Sequence, residues 1–298
     1  MDEFYNSLIK VKTLSSLAIL VLLLVAETFV PFFAASPPRA RLTHVFRNLA
    51  LGFVNSTLIA FLFVGLWLGA AEESRLRGFG LLYRWTPPDG MRAICSILIL
   101  DLWTYFWHRW NHRSPFLWRF HRTHHSDPRM DVTTASRFHL GEMVISSVLR
   151  VPVIFLAGVQ LHEIALYEIF MFSLVQFHHA NLALPPRVDR VLRWLIVTPG
   201  MHKVHHSRIR IETDSNYSSL LSVWDRLFGS FRARADLGQI RFGLDEFDEE
   251  RHQTLTGLFG TPTLESGKTS RNWFPLLWIL PALLLSWWLS RLASWWVG

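Results

Sequence analysis

The sequence predicts an all-α integral membrane protein. Several transmembrane helices and a membrane hairpin are expected to be capped by a cytoplasmic, helical, histidine-rich metal-binding region. Three observations carry that expectation. The runs Leu14–Ala35, Leu49–Ala71 and Trp273–Val297 are nearly free of charge, and each is close to the ~20 residues that a bilayer span needs. Tryptophan and tyrosine crowd the ends of apolar stretches (Trp67, Tyr83, Trp85, Trp103, Trp107, Trp110, Trp118), as interfacial aromatic belts do. Most of the 14 histidines fall in short elements with helical spacing. Half of the 298 residues are hydrophobic, which soluble domains also reach, so the clustering decides the class.

Taken in order, the first run is too long for a signal-peptide core, and no convincing small-residue cleavage site follows it, so it reads as a retained span. Pro37-Pro38 and the arginines Arg39, Arg41 and Arg47 form a loop. The second span covers about Asn48 to Ala71 and carries Asn55, Ser56 and Thr57, small polar residues that helix packing in membranes tolerates. Residues 72–92 link it to the next element: Gly78–Tyr83 suits the interface, and Pro87-Pro88-Asp89-Gly90 signals a turn. Ala93–His112 is a third helix, apolar until its last turns. Met143–Phe177 is too long for one span and is interrupted near Gly158, so it reads as a hairpin that enters the bilayer and returns. Pro152 is expected to kink its first arm. Glu163 and Glu168 in the second arm imply incomplete insertion or burial within protein. Asn181–Ser270 is polar, and Trp273–Trp296 is the last span. The resulting division is 1–92, N-terminal helices and linker; 93–232, the catalytic unit; 233–270, a polar segment; and 271–298, a terminal span.

The net charge of +7 does not call for nucleic acid, because the basic residues flank the spans. Arg39, Arg41 and Arg47 follow the first run, and Arg109, Arg113, Arg119, Arg122 and Arg129 surround the histidines. The positive-inside rule and attraction to anionic headgroups account for both sets. They place the histidine-bearing ends on the cytoplasmic side, in the inner membrane of a bacterium or the endoplasmic reticulum of a eukaryote. The single cysteine, Cys95, rules out an intramolecular disulfide and a cysteine-built metal site. Any metal takes nitrogen or oxygen ligands.

His108 and His112 are four residues apart and share a helix face. His121, His124 and His125 occupy i, i+3 and i+4, and His202, His205 and His206 repeat that spacing. Neutral imidazole binds iron, copper, zinc and nickel, and side chains one turn apart can converge on one ion. These elements supply eight imidazoles, nine with His179, which exceeds the four that a closed site takes. Two metals follow. No carboxylate-rich motif lies nearby, unlike the Glu/His-bridged di-iron bundles. Two ions beside a membrane suggest O2 activation at iron; spacing leaves copper and zinc open. Asp101, Tyr105 and His108 lie on one helical stripe, and an aspartate in an apolar span marks function unless it is paired, either holding a ligand imidazole or capping a buried arginine.

The motifs DLWTYFWHRWNH, HRTHHS, DVTTASRFHLGE, HHAN, TPGMHKVHH and NYSSLLSVWDRLFGSF, running from Asp101 to Phe231, resemble the fatty acid hydroxylase superfamily of membrane histidine-box proteins. The resemblance implies ligands His108, His112, His121, His124, His125, His179, His202, His205 and His206, with His178 as a further one. Asp101 and Tyr105 are read as catalytic from their polar stripe in an apolar helix; His139 matches a histidine recurrent in the sterol-oxidase branch, and it, Glu142 and Asn181 are expected in supporting positions. Ser218 replaces the family's usual glycine, a local turn variation. The resemblance further implies two iron ions, O2, and a lipid substrate that is hydroxylated or desaturated (a fatty acyl, sterol or ether lipid). No cytochrome b5-like domain or flavin fingerprint is visible, so electrons come from a separate partner or a soluble reductant. The competing readings are a histidine-rich metal transport or sensing protein, which needs ionisable residues along several spans, and a non-catalytic family member, which would have broken histidine elements.

Overall fold

The computed structural model describes residues 2–34 and 36–264; the expected last span lies outside them. Two long helices lead: α1 (Asp2–Phe29) and α2 (Pro38–Leu76). α2 starts at the Pro38 that the sequence placed in a loop, because a proline at the first helical position loses no hydrogen bond. A short α3 (Leu81–Trp85) leads to α4 (Asp89–Arg113). The expected turn at 87–90 is therefore shorter than predicted: Pro88 caps α4, and Asp89 and Gly90 already lie in its first turn. α5 (Pro115–His125) follows at once, with the Ser114 hydroxyl accepting from the Leu117 N–H at its start.

The hairpin is α6 (Leu140–Ala157) and α7 (Leu161–His179). Its turn is at Gly158, where φ is +75° and an added Cβ would lie 2.8 Å from the Tyr83 ring. A left-handed backbone and a close neighbour both call for glycine there. α6 runs through Pro152 as one helix. The acidic residues of α7 are buried within protein rather than left in lipid. Glu163 pairs with Arg92 (3.2 Å) and accepts from the Ser96 hydroxyl (2.8 Å). Glu168 pairs with Arg150 (3.1 Å) and with Lys12 of α1.

Among the described residues, three stretches are long and apolar enough to cross a membrane: Lys10–Phe29, Pro38–Trp85 and Leu140–Ala157. The chain is a helical membrane protein. Its main core is shared by α2, α4, α6 and α7 through Phe63, Trp67, Leu100, Ile154 and Tyr167, and α1 packs along α7. The Trp67 indole donates to the Ser147 carbonyl of α6 (2.9 Å), tying the helices where side chains alone would slide. Beyond α7 the described residues make only short helices, among them α8 (Pro186–Leu192), α9 (Pro199–His205), α10 (Arg210–Thr213) and α11 (Val223–Leu227). Their job is local: they fold back over the ends of α4, α5 and α7.

Candidate metal centre

α4 ends with His108 and His112, α5 with His121, His124 and His125, and α7 with His178 and His179. α9 brings the remaining triplet to them. Its start is fixed by Pro199 and by the Thr198 hydroxyl, which accepts from the Met201 N–H (3.3 Å). Nine imidazoles then form two groups, in each of which one nitrogen per residue lies within 4.8 Å of the others. The first group is His108, His112, His121, His125 and His205; the second is His124, His179, His202 and His206.

Each triplet is therefore divided. The i, i+4 pair His121 and His125 joins one group, while His124 crosses to the other; His202 and His206 stay together and His205 crosses. Helical spacing suggested that a triplet serves one ion. The 100° step per residue instead turns the middle histidine away by enough to reach a second centre. The two centres share walls, since His125 stacks on His206 with ring centroids 4.5 Å apart.

The donor chemistry fits metal ions. The Nδ1–H of His108 donates to the Tyr217 carbonyl (2.8 Å), that of His205 to the Ser215 carbonyl (2.6 Å), and that of His179 to the Val175 carbonyl (2.7 Å). His121 donates to Glu142 (2.9 Å) and His112 lies 3.3 Å from Asp214. Such partners fix the tautomer and leave Nε2 as the ligand atom. The Nε2 atoms of His108 and His205 are buried with no hydrogen-bond partner, as are both ring nitrogens of His206. Other Nε2 atoms face each other at 3.2 Å (His121 and His125), 3.1 Å (His124 and His179) and 3.0 Å (His179 and His202). Lone pairs that converge in a buried site call for a cation between them. Burial holds the imidazoles of His124, His125, His202, His205 and His206 well below the usual histidine range, and neighbouring imidazoles push the same way. They are neutral at physiological pH, the form that can ligate.

The other sequence-predicted residues divide. Glu142 does support a ligand, binding His121 and accepting from Asn111 (3.0 Å). His178 is buried against His202, ring centroids 4.0 Å apart, but belongs to neither group. His139 caps α6, where its Nδ1 accepts from the Gly141 N–H, and its Nε2 lies 3.1 Å from the Phe259 carbonyl. Asn181 clamps the chain after α1, bonding the backbone N–H and C=O of Phe33 (both 2.9 Å). Asp101 neither holds an imidazole nor caps an arginine. It accepts from the N–H groups of Leu220 (3.2 Å) and Leu221 (3.0 Å) and from the Trp224 indole (2.7 Å). Tyr105 bonds the Ser230 hydroxyl (2.7 Å) and accepts from Arg109 (2.8 Å). Asp101 and Tyr105 both fasten the 217–231 loop, whose Tyr217 carbonyl orients His108.

Sequence reasoning missed several residues. Asp225 accepts from the N–H groups of Tyr217 (2.7 Å) and Ser218 (3.0 Å), so the loop is gripped by two aspartates. Ser218 sits after Asn216, whose φ is +53°, so the left-handed residue is the asparagine. His44 of α2 is buried between Asp127 (2.9 Å) and Asp131 (3.1 Å). Arg137, fully buried, bonds the Thr123 carbonyl (3.0 Å), Asn48 (3.2 Å) and Gln253 (2.7 Å). Arg122, expected among the interfacial cations, is also buried and donates to the Thr261 carbonyl (2.6 Å). Their sequence signal was faint: His44 and Asn48 are one turn apart on α2, and Asp127 directly follows the HRTHHS element.

Fold and site together define a helical membrane protein with two adjoining polyhistidine groups able to hold metal. Residues 93–230, a little under half of the chain, match the family model described as fatty acid hydroxylase, and this segment is similar to the fatty acid hydroxylase superfamily. Over 144 residues it is 28% identical to ornithine lipid hydroxylase OlsE of Rhizobium tropici, covering 48% of this chain and 43% of that protein. Over 136 residues it is 32% identical to an alkylglycerol monooxygenase of Xenopus tropicalis (46% and 29% covered). It is 27% identical over 224 residues to very-long-chain aldehyde decarbonylase GL1-7 of Oryza sativa subsp. japonica (69% and 35% covered). The chain thus spans less than half the length of these relatives. No solved structure matches it significantly.

Proposed function

We propose that this chain is a membrane-bound, O2-dependent oxidoreductase with two iron ions that hydroxylates or desaturates a lipid. The observation that carries the reading is the pair of groups, five imidazoles and four, whose ring nitrogens converge, with Nδ1 of His108, His121, His179 and His205 held by acceptors outside the groups. Carboxylates take no place among the nine, which suits neutral ligation with Glu142 and Asp214 outside it. When bound, iron would supply O2 activation: in hydroxylation one oxygen atom enters a C–H bond and the other leaves as water, with two electrons and two protons taken up.

The chain's own residues hold and shield. His108, His112, His121, His125 and His205 would hold one ion, and His124, His179, His202 and His206 the other. Phe138 lies flat on His124 (4.4 Å between ring centroids) and Trp118 covers His112 and His125, keeping bulk water from the site. The Asp101 and Asp225 carboxylates keep the Tyr217 carbonyl in place for His108. The substrate class is lipid (fatty acyl, sterol or ether lipid), supported by the relatives named above and by the apolar candidate spans. Electrons would come from a separate partner or a soluble reductant. The arginine distribution favours a cytoplasmic metal side, and residues 93–232 are read as the catalytic unit.

Comparative lipidomics of cells expressing the wild type or His124→Ala tests the proposal, alongside O2 consumption by the purified proteins. A lipid product present with the wild type and absent with the variant is expected. Identical lipid profiles, with no lipid-dependent O2 uptake by iron-loaded wild type, would remove the enzyme reading.

A further inference from the structure

Away from the histidines, a cavity of about 520 Å³ opens between the end of α1, the start of α2 and the 240–248 segment. Four arginines line it, Arg41, Arg129, Arg208 and Arg241, with Phe33 and Phe242 forming its apolar part. The two rings meet edge to face, 5.2 Å apart. Three carboxylates are also present, Glu27, Asp131 and Asp248, but each already has partners. Glu27 accepts from the backbone N–H groups of Val132 and Asn181 (both 2.7 Å). Asp131 accepts from the Thr133 N–H and lies beside His44, and Asp248 pairs with Arg208 (2.6 Å). Among the described residues the guanidinium groups of Arg129 and Arg241 make no ion pair or hydrogen bond. The cavity therefore has spare positive charge and no spare negative charge.

Its place in the fold narrows the ligand. The cavity lies where the candidate span Lys10–Phe29 ends and Pro38–Trp85 begins, the depth at which lipid headgroups sit. Phe29 and Val30 at the end of α1, and Leu42 on α2, are exposed beside it, giving acyl chains an apolar surface. Guanidinium groups bind phosphate through paired N–H donors. We propose that this cavity is a headgroup site for an anionic phospholipid, whose phosphate is taken by Arg129 and Arg241 at its mouth. The site is separate from the histidine groups and does not depend on the chemistry proposed for them. It anchors the α1–α2 junction, and with it Asn181 and His179, against the bilayer surface.

The test uses the full chain in detergent micelles, with native mass spectrometry titrations of phosphatidylglycerol and phosphatidylcholine, and inorganic phosphate as competitor. The wild type should retain phosphatidylglycerol at least tenfold better than phosphatidylcholine. Arg129→Ala/Arg241→Ala should lose most of that preference, a drop on the order of tenfold or more for two interfacial cations. Both residues are exposed and unpaired, so the fold is not at stake. Arg187→Ala/Arg190→Ala, which removes the same charge from exposed positions on α8, should retain the preference. Partial displacement by millimolar phosphate supports phosphate as the recognised group. The proposal is overturned by equal binding of the two lipids, by an equal loss in both double variants, or by phosphate binding at this site without lipid binding.

Discussion

The two histidine groups differ in how firmly their members are held. In the five-imidazole group the Nδ1 sides of His108, His112, His121 and His205 all face an acceptor on a separate element. In the four-imidazole group only His179 has its Nδ1 tied, and to the Val175 carbonyl of its own helix, while the Nδ1 atoms of His124, His202 and His206 are buried without a partner. The first group is oriented by contacts from outside it. The second has one ligand fewer and is oriented by ring packing, as where His124 lies on Phe138. A metal site used for chemistry needs an open position and a site used for holding does not. On the function proposed above, the contrast would make the fixed group the holding one and the looser group the reacting one.

That assignment can be broken in several ways. The largest effect is expected for His206→Ala, which removes a member of the looser group that also stacks on His125. Turnover should fall by more than about 100-fold, measured as lipid product per iron-loaded chain. Next, a chelator should strip the two ions at different rates, with the four-imidazole group emptying first by about tenfold or more; simultaneous loss would erase the distinction. Glu142→Gln keeps an acceptor near His121 but removes its charge. It should weaken the fixed group by about 10- to 100-fold in metal affinity and leave the other group unchanged, as read by competition with a metal-binding dye.

Asp101→Asn acts one step further out. It removes the charge that gathers three N–H donors onto one carboxylate, and should cost about 2–3 kcal/mol of stability in a denaturant titration. Metal content of the folded fraction should stay close to wild type, since Asp225 still grips the loop. Asn181→Ala, at the clamp on Phe33, should have the smallest effect, about 1 kcal/mol, and no effect on the difference between the groups.

The clustering of the imidazoles could be read from the sequence because their spacing survives folding: His108 and His112 share α4, His121, His124 and His125 share α5, and His202 and His205 lie on α9 with His206 directly after it. Their partition into two groups was not legible, since it depends on how α4, α5, α7 and α9 face one another. The helices α1, α2 and α4, and the turn at Gly158, followed from apolar length and from glycine. The partners of Asp101 were not legible, because a polar residue in an apolar helix shows that a partner exists, not which one. Here the partners are backbone N–H groups about 120 residues later. His44, Arg137 and Arg122 were missed for the same reason, as their partners lie on distant elements.

The central claim is that nine imidazoles form two separate metal groups in this membrane protein, and iron stoichiometry tests it most directly. The full chain, its His108→Ala variant and its His206→Ala variant would be purified after iron-supplemented expression and analysed for metal per chain. About two irons in the wild type and about one in each variant are predicted. The same content in all three, or loss of both ions from either single substitution, would contradict it.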